Sequence, residues 1–415
     1  MKPKTGAKTG AHPRRAWLRA VEDASLARGD PAEDEAATCF DALEPVSARM
    51  ALVREIVATR SRELTLAYRN VVAVLAGYKA ARADDGGGVQ VRPEPCVIFA
   101  VKRKWPAAGE GPAEQALPGR LLCFGGDGGA RRPYAVPTDV QPAAWFYGAS
   151  TRSTACVNVD DTDPRFRLPG TLTCGVRLHG AAGAPLALSA MHVLSPAARQ
   201  ALPAAGAELL GVAAGPAVRG HSAAWGGHMD GDAGTAFDAQ LAEIDDTVWF
   251  NAAFAGLELA PGRPYVATPR EFDELAAGMR FQILAPDNHP QHGGAAAREP
   301  MLAQYVAEVP AKLPIVVYGL RLNGLFQKIA LSHRELLVLH VLESCPPPLG
   351  GDSGSAVVTW WPDGRMVLAG MFIASHDNGE QARVCYVVPA WQLFHLDNWH
   401  LPPGTALIEP SFTLP

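Results

Sequence analysis

Residues 345–358, CPPPLGGDSGSAVV, constrain this chain more than any other stretch. Its three prolines fix φ over successive residues and stiffen the approach. Gly350, Gly351 and Gly354 then free the backbone for conformations that side chains oppose. Ala356, Val357 and Val358 read as the start of a buried strand, so Ser353 is expected at a rigid strand edge. A serine hydroxyl is a poor nucleophile unless a base takes its proton and nearby donors receive the oxyanion. A turn here can aim the amides of Gly351 and Ser353 into one hollow, which meets the second need. Gly-Asp-Ser-Gly by itself is also an ordinary turn, so the reading depends on what lies upstream.

Two upstream segments supply partners. In residues 188–194, LSAMHVL, His192 follows a strand-like run and two small residues that allow close packing. In residues 237–244, FDAQLAEI, Asp238 opens an alternating segment that would hold a carboxylate at a strand end. Asp232, Asp245 and Asp246 are its rivals. The chain order is histidine, aspartate, serine.

Together these segments resemble the His, Asp and Ser motifs of the trypsin-like (chymotrypsin-fold) serine peptidases, whose triad runs in this order. The resemblance implies a mostly β protein with a chymotrypsin-like double β-barrel, the first barrel over residues 151–260 and the second over 261–400. It implies Ser353 as nucleophile, His192 as general base and then acid, and Asp238 as the group that orients the imidazole. Gly351 and Ser353 would donate the oxyanion-hole amides. The substrate pocket would involve Pro347, Gly370, Phe372 and Ile373. Pro347 falls where relatives that cut after Arg or Lys carry an acid, so a small or apolar residue before the cut is expected. Asp352 matches the residue with which some relatives hold a freshly cut N-terminus, yet no Ile-Val-Gly-Gly-like sequence opens the first barrel. Secreted relatives have a cysteine after the active-site histidine; here it is Val193.

A smaller α/β module is expected over residues 45–150, with a helix over 45–68 and strands over 70–79, 95–104 and 136–140. Its wording NVV…GYK, EP…VK and VPTDV resembles the N-terminal module of some non-secreted bacterial trypsin-like proteins and of plant narrow-leaf-type proteases. Residues 1–44 read as a disordered or loosely helical leader and 401–415 as an irregular tail. The stretches 204–234 and 287–299 read as long loops, either lids, partner sites or disorder.

Composition narrows the classes. With 41 Gly, 35 Pro and 19% charged residues in 415, a β-rich globular protein is favoured over a helical bundle. A net charge of −5 offers no general attraction to nucleic acid or anionic membrane, and no run approaches a membrane span. The seven cysteines are odd in number and lack CxxC spacing, and the basic N-terminus has no signal-type apolar core. Reduced thiols in a cytoplasmic protein are expected. Lys102, Arg103 and Lys104 read as a solvated strand end, and the glycines over 125–129 lack the Lys-Ser/Thr of a phosphate loop. His221, His228, Asp230 and Asp232 lack zinc spacing, so a mobile loop and no metal are expected there. The functional expectation is a serine endopeptidase acting on protein or peptide through an acyl-enzyme, without a cofactor. A regulatory partner could act through the N-terminal module. The alternatives are a catalytically silent pseudoprotease that binds a partner, and a protease held inactive until its N-terminal module meets an effector.

Overall fold

The structure is a computed structural model. It describes residues 17–19, 31–68, 70–82, 89–101, 117–125, 132–142, 157–158, 171–180, 185–194, 208–211, 218–226, 237–244, 247–276, 280–284, 301–309, 314–322, 325–349, 352–375, 383–399, 401 and 403–415. Of His192 the backbone alone is described. The chain divides into two compact units, Met1–Gly77 with Pro95–Gln141, and Tyr78–Glu94 with Pro142–Pro415.

The first unit carries β1 (Trp17–Arg19), α1 (Pro31–Asp41), α2 (Val46–Ala67), β2 (Val71–Arg82), β3 (Val89–Val101), β4 (Arg120–Gly125) and β5 (Arg132–Pro142). Its strands order as β1-β4-β5-β3-β2. The helical spacing of Met50, Val53, Ile56, Val57 and Leu64 becomes the buried face of α2. In β3, Cys96–Val101 are all buried, so alternation gives way to a continuous apolar run. Burial, with the Glu55 carboxylate of α2 nearby, pushes the Cys123 thiol of β4 up to about 12.

Two expectations need correction in this unit. The leader expected to residue 44 becomes helical at Pro31, and Phe40 is 1% exposed. Ala36 and Ala37 pack on Ala135 and Leu122. Small residues with one aromatic are enough to seat a helix on a sheet, and the shortage of large apolar residues concealed this. Strand β4 was also missed, its short apolar run LLCF being cut off by the glycines that follow. Lys102, Arg103, Lys104 and residues 126–131 lie outside the described residues.

The second unit opens with β6 (Val157–Asn158), β7 (Cys174–His179), β8 (Leu186–Ser189), α3 (Met191–Leu194), β9 (Glu208–Gly211), β10 (Val218–Gly226), β11 (Gln240–Ile244) and α4 (Thr247–Ala253). It continues through α5 (Pro269–Ala276), β12 (Phe281–Leu284), β13 (Met301–Val309), β14 (Pro314–Leu322), β15 (Leu325–Ser332), β16 (Leu336–Val341) and β17 (Ala356–Trp360). The last elements are β18 (Met366–Ser375), β19 (Val384–Pro389), α6 (Ala390–Leu393), a 3-10 turn (Leu396–Asn398) and β20 (Leu407–Ser411). Six strands close an antiparallel barrel in the order β12-β17-β18-β19-β16-β13, with β13 returning to β12. So few strands leave only room for side chains inside, and every residue of β16 and β19 is buried. A seven-stranded sheet runs β20-β7-β8-β11-β10-β9-β6, its pairings among the described residues forming a line.

Several details of this unit depart from the sequence reading. The sequence favours a second-barrel strand near residues 315–320, but there β14 pairs with β15 in a two-stranded sheet of its own. The Asn323-Gly324 pair between two apolar runs was the overlooked hairpin signal. Part of the loop expected over 204–234 is strand β10, paired with β9 and β11. The sequence favours one helix over residues 389–398, and it divides into α6 and the 3-10 turn. The tail expected to be irregular is β20, which pairs with β7 and places Ile408 opposite Leu178. Its end is fixed by Asn251: the Leu414 amide donates to Oδ1 at 2.7 Å, and Nδ2 donates to the Leu414 carbonyl at 2.9 Å. The adjoining ends of β2 and β3, residues 78–82 and 89–94, expected within the N-terminal module, belong to this unit. There the Tyr78 ring meets Tyr305 edge-on at 5.5 Å. Among the described residues no helix is long and apolar enough to cross a membrane.

Candidate active site

Ser353 sits in the turn that leads into β17, and it is 5% exposed. Gly354 forms the turn with φ +93°, a conformation that side chains oppose. A Cβ at this position would lie 1.9 Å from the Thr171 carbonyl oxygen and 2.4 Å from Ser189 Oγ. Glycine is therefore required twice, for its dihedral and for the close approach of two neighbouring segments. The turn is bonded to its own barrel as well. The Gly354 amide donates to the Phe372 carbonyl at 2.8 Å, and the Phe372 amide donates to the Ser355 carbonyl at 2.9 Å. The Ser353 hydroxyl donates to the Ile373 carbonyl at 3.0 Å.

Residues 171–173 lie between this turn and β8. The Thr171 amide donates to the Ser353 carbonyl at 3.0 Å, and the Thr173 hydroxyl donates to the Gly354 carbonyl at 2.6 Å. On the other side, the Ser189 hydroxyl donates to the Thr171 carbonyl at 2.6 Å and the Thr173 amide to the Leu188 carbonyl at 2.7 Å. Strand β8 is thus tied through one short segment to the serine turn. His192 follows Ser189 by three residues, a reach of no more than about 10 Å. Its backbone lies in α3, and its side chain is outside the described residues.

Asp238 comes to the same end of the sheet by register. Strands β8 and β11 are antiparallel, with Gln240 opposite Ser189. Residues just before Gln240 therefore run beside those just after Ser189. Asp238 is 1% exposed, and a carboxylate so buried keeps its charge only with polar partners. Phe237 beside it is wedged in place, its ring edge-on to Trp399 at 5.4 Å with the Arg334 guanidinium 5.3 Å above it.

The other expected residues are placed as follows. Gly351 lies outside the described residues, as do Gly350, Asp232, Asp245, Asp246, His228 and Asp230. Gly370, Phe372 and Ile373 are buried in β18, and Pro347 is half-buried in the approach loop. His221 is part of β10, opposite Glu243 and Glu208, so the mobile loop expected there is a strand. No group of three metal-ligating side chains occurs among the described residues. Asp352 is fully buried and its Oδ2 accepts the Leu349 amide at 2.7 Å. Burial, with the Asp352 charge nearby, raises the Cys385 thiol of β19 well above its usual range.

The sequence reading missed Thr171, Thr173 and Ser189 as the residues that join the segments. The Thr173 hydroxyl and the Gly354 carbonyl meet across 181 residues and leave no local pattern, and the Ser189–Thr171 bond gains meaning only from that meeting. Chemically, the arrangement brings a turn serine, a histidine-bearing helix start and a buried carboxylate to one end of the unit. A scan against protein-family models matches no family, and no curated protein matches the chain.

Proposed function

We propose that this chain is a serine endopeptidase of chymotrypsin-like double-barrel architecture, with Ser353, His192 and Asp238 as its triad. The supporting observation is the meeting of three segments distant in sequence, through the Thr171–Thr173 clasp and the Ser189–Gln240 register. In the proposed reaction His192 takes the Ser353 proton as Oγ attacks the scissile carbonyl. The Gly351 and Ser353 amides receive the oxyanion, and the leaving amine departs with the proton from His192. Water, activated by the same imidazole, then hydrolyses the ester. Asp238 holds the imidazole in the tautomer this requires. The buried apolar side chains of β18 favour a small or apolar residue before the cut, and the proposed setting is cytoplasmic.

One observation favours a conditional enzyme. Ser353 is only 5% exposed, and its hydroxyl donates to the Ile373 carbonyl. On this reading the substrate, or an effector acting through the N-terminal module, opens the approach to Ser353. The test is incubation with unfolded protein substrates and mapping of new termini by mass spectrometry. Cleavage by wild type that is lost in Ser353→Ala is expected. Equal cleavage by both proteins would remove the proposal.

A further inference from the structure

The loop that delivers Ser353 is held at its start by a residue that the triad reading leaves out. Arg383, just before β19, is only 16% exposed. Its Nη1 donates to the Leu342 carbonyl at 2.7 Å and to the Cys345 carbonyl at 2.6 Å. Its Nε lies 2.9 Å from Glu343 Oε2. One guanidinium thus gathers the exit of β16, where the Cys345 amide also donates to the Leu342 carbonyl at 2.9 Å. Hydrogen bonds to a charged donor are roughly twice as strong as neutral ones, and a planar fork fixes direction as well as distance.

From this anchor the chain is constrained as far as Leu349. Pro346, Pro347 and Pro348 fix three successive φ angles. Leu349 and Asp352 then bond reciprocally. The Leu349 amide donates to the Asp352 carboxylate at 2.7 Å, and the Asp352 amide donates to the Leu349 carbonyl at 3.1 Å. Strand β19, which follows Arg383, pairs with β18, and β18 accepts the Ser353 hydroxyl through Ile373. Both ends of the approach loop are therefore referred to the same pair of strands.

We propose that Arg383 is a positioning residue for Ser353. It bears on the nucleophile through the stiff segment 345–349 and the Leu349–Asp352 pair. The inference rests on the proposed serine chemistry for its kinetic test, while its structural test is independent.

Two measurements decide it. The first is the rate of full-length chain labelling by a fluorophosphonate probe, with Arg383→Lys and Arg383→Met beside wild type. A displacement of about 1 Å at a reacting atom can cost on the order of a hundredfold. Arg383→Met is expected to lower the maximal labelling rate at least about tenfold, with probe affinity little changed and guanidinium chloride at millimolar concentration restoring part of the rate. Arg383→Lys, which keeps the charge and loses the fork, should fall between. Labelling of both variants at the wild-type rate would overturn the inference.

The second is amide hydrogen exchange over residues 342–349 in wild type and Arg383→Lys. Exchange at least about tenfold faster in the variant is expected, and unchanged protection of Cys345 and Leu349 overturns the inference. This measurement decides the matter even where wild type takes no label, an outcome that counts against the serine chemistry alone. It also decides where Arg383→Met does not fold.

Discussion

The two sides of the candidate site are built differently. Ser353 stands on a closed barrel of six strands in which neither edge is free. His192 and Asp238 stand just after β8 and just before β11, at one end of a sheet whose pairings among the described residues run in a line from β20 to the two-residue β6. A closed barrel orders its turns through the whole ring of strands, so the serine turn takes its geometry from β18 directly. The histidine side borrows order from that turn through Thr171, Thr173 and Ser189. The lesson is that the site is ordered from the serine outward, and the clasp between the two sides is where it can be broken.

The largest expected effect follows from closing that gap. Gly354→Ala puts a Cβ within 1.9 Å of the Thr171 carbonyl oxygen and also carries the strain of φ +93°. A loss of at least ~3 kcal/mol in denaturant unfolding is expected. Gly364→Ala shares the unusual dihedral, φ +85°, but its Cβ would meet open space. It should cost only about 1 kcal/mol. Equal losses would show that the dihedral alone matters and that the clasp is not tight.

A milder cut removes one clasp bond at a time. Thr173→Val leaves the Gly354 carbonyl without its 2.6 Å donor, at a cost of roughly 1–3 kcal/mol. Ser189→Ala removes the bond to Thr171 at about 1 kcal/mol. Both should slow probe labelling of Ser353 more than they lower stability would suggest, because they loosen the histidine side relative to the serine. Labelling that simply tracks stability would contradict an ordering role for the clasp.

Two buried thiols report the contrast between the sheets. Burial is the main cause that raises both Cys174 of β7 and Cys385 of β19 above the ordinary thiol value of 9.0. Each then reacts with an alkylating reagent only when its strand opens. At pH 8 Cys174 should react several times faster than Cys385, since β7 pairs with the C-terminal strand β20 while β19 lies between β18 and β16 of the closed barrel. Faster reaction at Cys385 would reverse the comparison. The sign of the pH effect follows from the raised values. The stability these protonated thiols contribute is complete below the unfolded thiol pKa and is lost as pH rises above it toward the folded values.

Ser355 should give the smallest effect. Its hydroxyl is buried beside Ser353 with no hydrogen-bond partner among the described residues. Ser355→Ala is expected to be neutral or slightly stabilising by thermal melting, and it should leave labelling unchanged. A marked loss of labelling would assign this hydroxyl a task in the reaction.

Much of the second unit was legible because its strands are short, apolar and bounded by Gly or Pro. The runs that became β17, β18 and β19 are of that kind. The tail was not legible: Leu407–Ser411 contains a proline and a glutamate, and only its pairing with β7 makes it a strand. Helix α1 was hidden for the opposite reason, as its alanines signal nothing until a sheet face receives them. At the site, the Gly-rich turn announced Ser353 because unusual dihedrals demand particular residues. Arg383 announced nothing, since one arginine at a strand start acquires meaning only from the carbonyls it reaches.

The central claim is that Ser353 and His192 form one reactive pair. Its most direct test is fluorophosphonate labelling of the folded full-length protein, with the modified residue located by mass spectrometry. The expected result is label on Ser353 in wild type and none in Ser353→Ala or His192→Ala. A folded wild type that takes no label, or label that survives His192→Ala, would contradict it.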